Sequence, residues 1–346
     1  MTDKLRVAIL GASGYSGADL VRLLLAHPHV EISALAGDSK AGQTMASVFP
    51  HLQFFDLPDI QRAEDVDWAR IDVAFGCLPH AASEKLLSGL PESVRIIDLS
   101  ASFRLKNPEI YAAWYGVHSA PHLLADAVYG LTEYARPDLP GARIIACPGC
   151  YPTAALLALK PLFEARQILS DDLIIDAKSG VSGAGRGLKE ANLFPEVGES
   201  AHPYGVGAHR HAPEIEQELS RASGEAVTVN FTPHLLPMSR GEIVTAHVKL
   251  ADGVSASDLR QTLNGRYADE PFVFLAPDGQ APSTRMVRGS NFCLINVFED
   301  RLPGRAIIVS VIDNLIKGAA GQAVQNLNVA MGWEETLGLS RAPLFP

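Results

Sequence analysis

Short apolar runs alternate with helical repeats through the first 150 residues. The runs at 4–10, Val30 to Ala36, Ile71 to Leu78, Arg95 to Leu99 and Arg143 to Ala146 each read as a buried strand. Leu20, Leu23 and Leu24 open an amphipathic helix after the first run, and a second helix is expected over 81–90. Strand alternating with helix predicts an α/β, Rossmann-type, doubly wound parallel sheet. Beyond residue 150 the period changes. Leu173 to Ala177 reads as a strand, then Val227, Val229 and Phe231 alternate, as do Val244, Ala246, Val248 and Leu250. Strands at 292–298 and 306–312 complete a mixed or antiparallel sheet, the core of an α+β domain. Residues 313–326 read as a helix of small side chains, and 41–70 as irregular chain without assigned chemistry.

Composition narrows this picture. At 346 residues the chain accommodates two domains with separate cores. Lys plus Arg number 29 against 39 acidic residues, and a net charge of −10 argues against nucleic acid or an anionic membrane as partner. No apolar run approaches the ~18 residues of a membrane span. The N-terminal residues run straight into a strand without signal-peptide organisation. Four cysteines (77, 147, 150 and 293) make no disulfide scaffold in a chain this long, so a reduced, cytoplasmic setting is expected.

Gly11-Ala-Ser13-Gly14-Tyr15-Ser16-Gly17 lies between the first strand and its helix. Glycines there let the backbone approach a pyrophosphate, and the helix N-terminus faces its charge. The spacing differs from the usual G-x-G-x-x-G; the strand and helix on either side carry the reading. Ser39 and Lys40, just past the second strand, suit a 2′-phosphate and favour NADP(H), whereas Asp38 argues for NAD. Pro79 and His80 sit at a strand–helix junction where cofactor-contacting residues gather, though His80 equally suits a capping or surface role; the glycine-rich 178–187 stretch, with Ser179 and Gly180, can wrap a ligand or serve as a flexible connection. Asn314 opens the small-residue helix, whose backbone can closely approach another helix or a cofactor.

Cys150 follows an apolar strand and a Pro-Gly turn, with Pro152 in the first turn of a helix that continues through Leu156, Leu159 and Phe163. A cysteine at a helix N-terminus is biased towards thiolate and hence towards nucleophilic chemistry. Cys147 and Cys150 also form a C-x-x-C, a redox dithiol or half of a zinc site on other readings; no second ligand pair supports zinc, so no metal is expected. His209-Arg210-His211 supplies an acid/base beside an anion-holding arginine, with either histidine available for the role. Ser102 and Arg104, at the end of the fourth strand, suit a bound anion. Together these residues suggest attack on an activated acyl carbonyl, a thioester on Cys150, and hydride reduction to an aldehyde.

Four stretches, 11–17, Pro148-Gly-Cys150-Tyr-Pro-Thr153, His209-Arg-His-Ala-Pro-Glu-Ile215 and 313–326, resemble the N-acetyl-gamma-glutamyl-phosphate reductases, within the wider aspartate-semialdehyde dehydrogenase-like group. The match runs in order over nearly the whole chain. It implies an NADP-binding Rossmann domain over 1–149, rejoined by 314–346, and a catalytic and oligomerisation domain over 150–313. It implies NADPH-dependent reduction of N-acetylglutamyl 5-phosphate to the 5-semialdehyde in arginine biosynthesis, by a homodimer or homotetramer. Carrier-bound aminoadipyl or glutamyl phosphates, or aspartyl phosphate, are the alternative substrates, and a non-catalytic NADP-binding scaffold the alternative class. Cys150 becomes the nucleophile and His209 the acid/base, with Ser102, Arg104, Arg210, His211 and Arg240 around the substrate. The family often carries Asn at position 147 and Asp at position 102, where this chain has Cys and Ser.

Overall fold

The computed structural model describes residues 4–339 and 341–345. The chain divides into two compact units, Met1–Gly149 with Ala319–Leu339, and Cys150–Gly318 with the C-terminal residues. The division therefore falls at Gly318/Ala319, so residues 314–318 and the C-terminal residues group with the second unit and not, as expected, with the first.

In the first unit, seven parallel strands form one sheet. They are β1 (Leu5–Leu10), β2 (Val30–Ala36), β3 (Ile60–Gln61), β4 (Val73–Gly76), β5 (Arg95–Asp98), β6 (Val128–Tyr129) and β7 (Ile144–Ala146), in the spatial order β3-β2-β1-β4-β5-β7-β6. β4 is buried throughout and the centres of β1 and β5 are buried and apolar, as strands covered on both faces require. The two-residue edge strands β3 and β6 were not visible in the sequence: a two-residue run carries no periodicity, and pairing with β2 and β7 is what makes each a strand. The strand order reverses between β1 and β4, so the loops leaving their C-terminal ends border the crevice where such sheets take ligands.

The second unit is built on a mixed seven-stranded sheet. Its strands are β8 (Leu173–Gly180), β9 (His202–Pro203), β10 (Val229–Leu236), β11 (Glu242–Lys249), β12 (Val273–Leu275), β13 (Cys293–Glu299) and β14 (Arg305–Ile312), in the order β12-β13-β14-β11-β8-β10-β9. Strict alternation of buried and half-exposed residues in β8 and β11 shows one covered face. The helices Cys150–Glu164 and Ala256–Tyr267 belong to this unit. The second was not anticipated, although Ser255 and Asp258 form a capping box at its start. The small-residue stretch does not run as one helix from 313: a π-helical turn, Ile316–Ala320, precedes an α-helix over Gly321–Ala330.

Candidate active site

Two constellations stand out, one in each unit. In the first, β1 runs into Gly11, whose φ of +84° and lack of a side chain are both needed. A Cβ there would lie 2.5 Å from the Cys77 carbonyl oxygen. Gly17 packs as closely, since its Cβ would lie 2.5 Å from the Gly11 carbonyl oxygen. Gly14 caps the helix Tyr15–Leu25 with no side-chain bond, and no acidic residue occupies the first turn. The first-turn N–H groups are thus left for an anion, which is what a dinucleotide pyrophosphate requires. Ser39 and Lys40 lie in a short turn, Asp38–Lys40, beyond β2. That turn starts beside the glycine loop, because a Cβ on Gly37 would stand 3.2 Å from Ser13 Oγ. Tyr15 is exposed, Ser13 and Ser16 half-buried, and Pro79 exposed just after β4.

The two residues expected to hold an anion in this unit are both buried. Arg104 is buried; its Nε donates to the Cys147 carbonyl at 2.8 Å and its Nη2 to the Leu99 carbonyl at 2.8 Å, tying together the chain ends that leave β5 and β7. Ser102 is wholly buried, with its hydroxyl within hydrogen-bonding distance of the His80 carbonyl (3.1 Å) and of Ser100 Oγ (2.9 Å). Beside it Asp98 is sealed among Ser83 and Ser100.

The second constellation surrounds Cys150, the first residue of its helix and half-buried. The helix starts at Cys150 because the preceding Cys147-Pro-Gly turn ends the β7 exit and Pro152 favours the first turn. Gly318, in the π-helical turn, allows close approach: a Cβ on it would lie 2.7 Å from Cys150 Cβ. Tyr151 is buried, donates to the His234 carbonyl (3.2 Å) and accepts from Tyr204 Oη (3.2 Å). Burial pushes both phenols up, so both remain donors. The Cys150 sulfur is close enough to add to each shift. Both rings also flank His209, with centroids 5.8 and 5.1 Å away, and Phe231 and His211 complete the aromatic wall at 5.4 and 4.8 Å. His209 and His211 are therefore brought to the Cys150 side of this unit, as the motif suggested.

Burial, reinforced by the Arg210 charge, lowers the His209 pKa to about 4, so the imidazole is neutral near pH 7. Its Nδ1 accepts the His211 backbone N–H at 3.2 Å. A neutral ring that accepts at Nδ1 carries its proton on Nε2, and the nitrogen left for chemistry is a donor. Arg210 itself is exposed. Arg240 pairs with Asp313 at 3.7 Å. Asp313 is wholly buried and also receives N–H groups from Gly289 (2.7 Å), Leu315 (2.9 Å) and Ile316 (3.1 Å), which anchors the π-helical turn.

Ser179 and Gly180 are not in a wrapping loop. β8 extends through both, Ser179 opposite Glu242 on β11, and a Cβ on Gly180 would lie 2.8 Å from the Met238 carbonyl oxygen. Asn314 spans the second unit's turns, accepting from the Gly241 N–H (2.8 Å) and donating to Ser182 Oγ (3.0 Å). Sequence reasoning overlooked Tyr204, Glu242 and Gly318. A signal existed for Glu242: it holds the inward phase of the alternation that Val244, Ala246 and Val248 continue.

The two C-x-x-C cysteines differ sharply. Cys147 is wholly buried, with Asn326 Nδ2 3.6 Å from its sulfur, and burial pushes its thiol up to about 12. Iodoacetamide at pH 7.5 should therefore label Cys150 and leave Cys147 untouched in the folded protein. Peptide mapping that found equal labelling would contradict this geometry. Among the described residues no cluster of histidine, cysteine and acidic groups is fit to hold a metal ion.

Comparison with known proteins places both units. Residues 6–142 match the semialdehyde dehydrogenase NAD binding domain, and residues 150–314 the semialdehyde dehydrogenase dimerisation domain. A probable N-acetyl-gamma-glutamyl-phosphate reductase, chloroplastic, of Oryza sativa subsp. japonica is 54% identical, covering 99% of this chain and 83% of that protein. N-acetyl-gamma-glutamyl-phosphate reductase of Rhodospirillum rubrum is 54% identical, over the full length of both. Aspartate semialdehyde dehydrogenase II of Vibrio cholerae, solved as a crystal structure with ASA, shares the fold at a TM-score of 0.73 and 19% identity, covering 96% of this chain and 99% of the other.

Proposed function

The chain belongs to the N-acetyl-gamma-glutamyl-phosphate reductase family, and we propose that it performs that reduction through a thioester on Cys150. The reaction is an NADPH-dependent reductive dephosphorylation of N-acetyl-L-glutamyl 5-phosphate to the 5-semialdehyde, a step in making arginine. The observation that carries the site assignment is the position of Cys150: the half-buried first residue of a helix, next to Tyr151, whose ring lies against His209.

Cys150 sulfur attacks the acyl carbonyl, the carbon–oxygen bond to phosphate breaks, and phosphate departs. The helix N-terminus favours the negative charge on sulfur. His209, neutral and holding its proton on Nε2, donates to the carbonyl oxygen as charge gathers there, a role preorganised donors fill well. NADPH, when bound, supplies the hydride that takes the acyl group to the aldehyde level. Gly11, Gly14 and Gly17, at the start of the Tyr15–Leu25 helix, would hold its pyrophosphate, with Ser13, Tyr15 and Ser16 alongside. Ser39 and Lys40 would receive the 2′-phosphate. Arg210 and Arg240 are the cations in the second unit for the substrate's phosphate and carboxylate. The match to a dimerisation domain supports assembly with further copies of the chain, and we assign a homodimer or homotetramer in the cytoplasm. No helix among the described residues is long and apolar enough to cross a membrane.

The test is the reverse reaction: phosphate-dependent reduction of NADP⁺ by N-acetylglutamate 5-semialdehyde, run beside glutamyl, aminoadipyl and aspartyl semialdehydes. The N-acetylglutamyl compound should give the highest kcat/KM, and NADP⁺ should outperform NAD⁺. A higher kcat/KM with any other semialdehyde would overturn the substrate assignment, and no turnover with any of them would overturn the reaction.

A further inference from the structure

Arg240 stands between β10 and β11, and one loop of the second unit, residues 284–290, holds it from two sides. The loop is tightly made: Thr284–Met286 form a short turn, and the Ser290 N–H and hydroxyl both donate to the Val287 carbonyl, at 3.1 and 2.7 Å. On the backbone side, the neighbouring Gly241 packs on Thr284, since a Cβ on the glycine would lie 2.7 Å from Thr284 Cβ. On the charge side, the Gly289 N–H donates to Asp313 Oδ2 at 2.7 Å, while Asp313 Oδ1 lies 3.7 Å from Arg240 Nη1. Asp313 is wholly buried, so the donors around it set its orientation. Leu344 and Phe345 lie against this same loop. The Leu344 N–H donates to the Arg288 carbonyl at 2.7 Å. Its side chain takes the space beside Gly289, where a Cβ would stand 2.8 Å from Leu344 Cδ1. The Arg285 guanidinium sits over the Phe345 ring, 5.6 Å from its centroid. Leu344 is 62% and Phe345 72% exposed, so burial explains little of this docking.

We propose that Leu344 and Phe345 are positioning residues: they clamp the 284–290 loop, and the clamped loop aims Arg240 at a negatively charged group of the substrate. This rests on Arg240 serving the substrate. The chain of contacts runs from the Leu344 N–H and the Phe345 ring to the Arg285–Gly289 backbone, then through the Gly289 N–H to Asp313, and from Asp313 to Arg240. Every link lies within the second unit.

The clamp works through the cost of leaving a buried carboxylate short of donors. With the loop held, Gly289 satisfies Asp313 Oδ2, and the pair with Arg240 stays long. With the clamp gone, the loop gains freedom and the Gly289 N–H leaves Asp313 for part of the time. The carboxylate then draws the Arg240 guanidinium towards itself to replace the lost donor. A guanidinium drawn to Asp313 is a poorer partner for the substrate's anion. The Leu315 and Ile316 N–H groups bond the other oxygen, Oδ1, so the π-helical turn that packs on Cys150 keeps its anchor. Loss of the clamp therefore weakens substrate binding and spares the chemical step.

The experiment is the reverse assay with N-acetylglutamate 5-semialdehyde, phosphate and NADP⁺ varied in turn, and circular dichroism as the fold check. The variants are Leu344→Pro, which removes the N–H donor; Leu344→Ala with Phe345→Ala; Arg240→Ala; and Arg240→Ala with both alanines. Arg240→Ala should raise KM for the semialdehyde or for phosphate by roughly 10- to 100-fold, the worth of a hydrogen bond to a charged group. Leu344→Pro and the double-alanine variant should each raise that same KM by about 3- to 10-fold, with kcat and the KM for NADP⁺ within about twofold of wild type. In the Arg240→Ala background the two alanines should add nothing. Folded clamp variants with wild-type KM overturn the proposal. So does an equal rise in the Arg240→Ala background, because that effect would bypass Arg240. Should the double-alanine variant fail to fold, Phe345→Ala takes its place under the same criteria. Arg240→Ala with wild-type KM for both substrates overturns the substrate role of Arg240 and the proposal with it; a raised KM in Arg240→Ala beside unaltered clamp variants removes the clamp alone.

Discussion

Cys150→Ala should abolish turnover in both directions, by roughly 10⁴-fold or more, while the protein folds as before. The change removes one sulfur from a half-buried position, so no large void opens. Alanine is the best helix former and sits at the helix's first residue, so the Cys150–Glu164 helix loses nothing. What disappears is the atom that bonds the acyl carbon. Cys150→Ser is the sharper variant: it keeps a nucleophile of similar size, but a hydroxyl ionises far less readily than a thiol, so a loss of comparable order is expected. Cys147→Ala is the control. Its sulfur is sealed against Asn326 in the first unit, so activity should stay near wild type. The assay is semialdehyde-dependent NADP⁺ reduction, read with thermal unfolding of each variant. Retained turnover in folded Cys150→Ala would remove the thioester from the mechanism.

How much of this was legible in the sequence follows from the range of each interaction. The long strands of the parallel sheet are apolar runs covered on both faces, and their patterns mark them without tertiary context. The glycine loop and the Cys150 helix start are local too, each written in fewer than ten consecutive residues. The short edge strands β3 and β6 exist only because a longer neighbour offers a free edge, which local pattern cannot reveal. The same limit explains Arg104 and Ser102. A strand end bearing a hydroxyl and a guanidinium looks like an anion site until the buried Asp98 and the carbonyls of Leu99 and Cys147 draw both side chains inward. Glu242 sits in the inward phase of an alternating run, a signal the sequence did carry, and pairing with β8 and β14 on both sides encloses it. His209 was singled out by its motif, and its protonation state and tautomer depend on burial and on the His211 amide.

Gly318→Ala should cost on the order of 10²-fold in kcat, a large effect for one methyl group on a residue with no functional side chain. The added Cβ would stand 2.7 Å from Cys150 Cβ, 3.2 Å from Cys150 Cα and 3.2 Å from Ile312 Cδ1. The end of the isoleucine side chain can turn away at little cost, but Cys150 cannot yield in that fashion, because its Cα and Cβ are fixed by the helix that begins there. Gly318 is held as firmly: its N–H bonds the Asp313 carbonyl at 3.0 Å, the wide i to i−5 spacing of the π-helical turn, and Asp313 is tied in turn to Gly289, Leu315 and Ile316. Relief of the clash must therefore displace the Cys150 sulfur, and attack geometry is steeply sensitive to such shifts. Stability should fall by about 1–3 kcal/mol through overpacking. Gly265→Ala is the matched control, since its Cβ meets open space inside the Ala256–Tyr267 helix and should stabilise by about 0.5–1 kcal/mol with activity unchanged. Iodoacetamide labelling separates the two ways of losing activity: a displaced but accessible Cys150 still alkylates, whereas a collapsed site does not. A Gly318→Ala enzyme with wild-type kcat would mean that the turn shifts without moving the nucleophile, and the close packing of Gly318 on Cys150 would carry no catalytic weight.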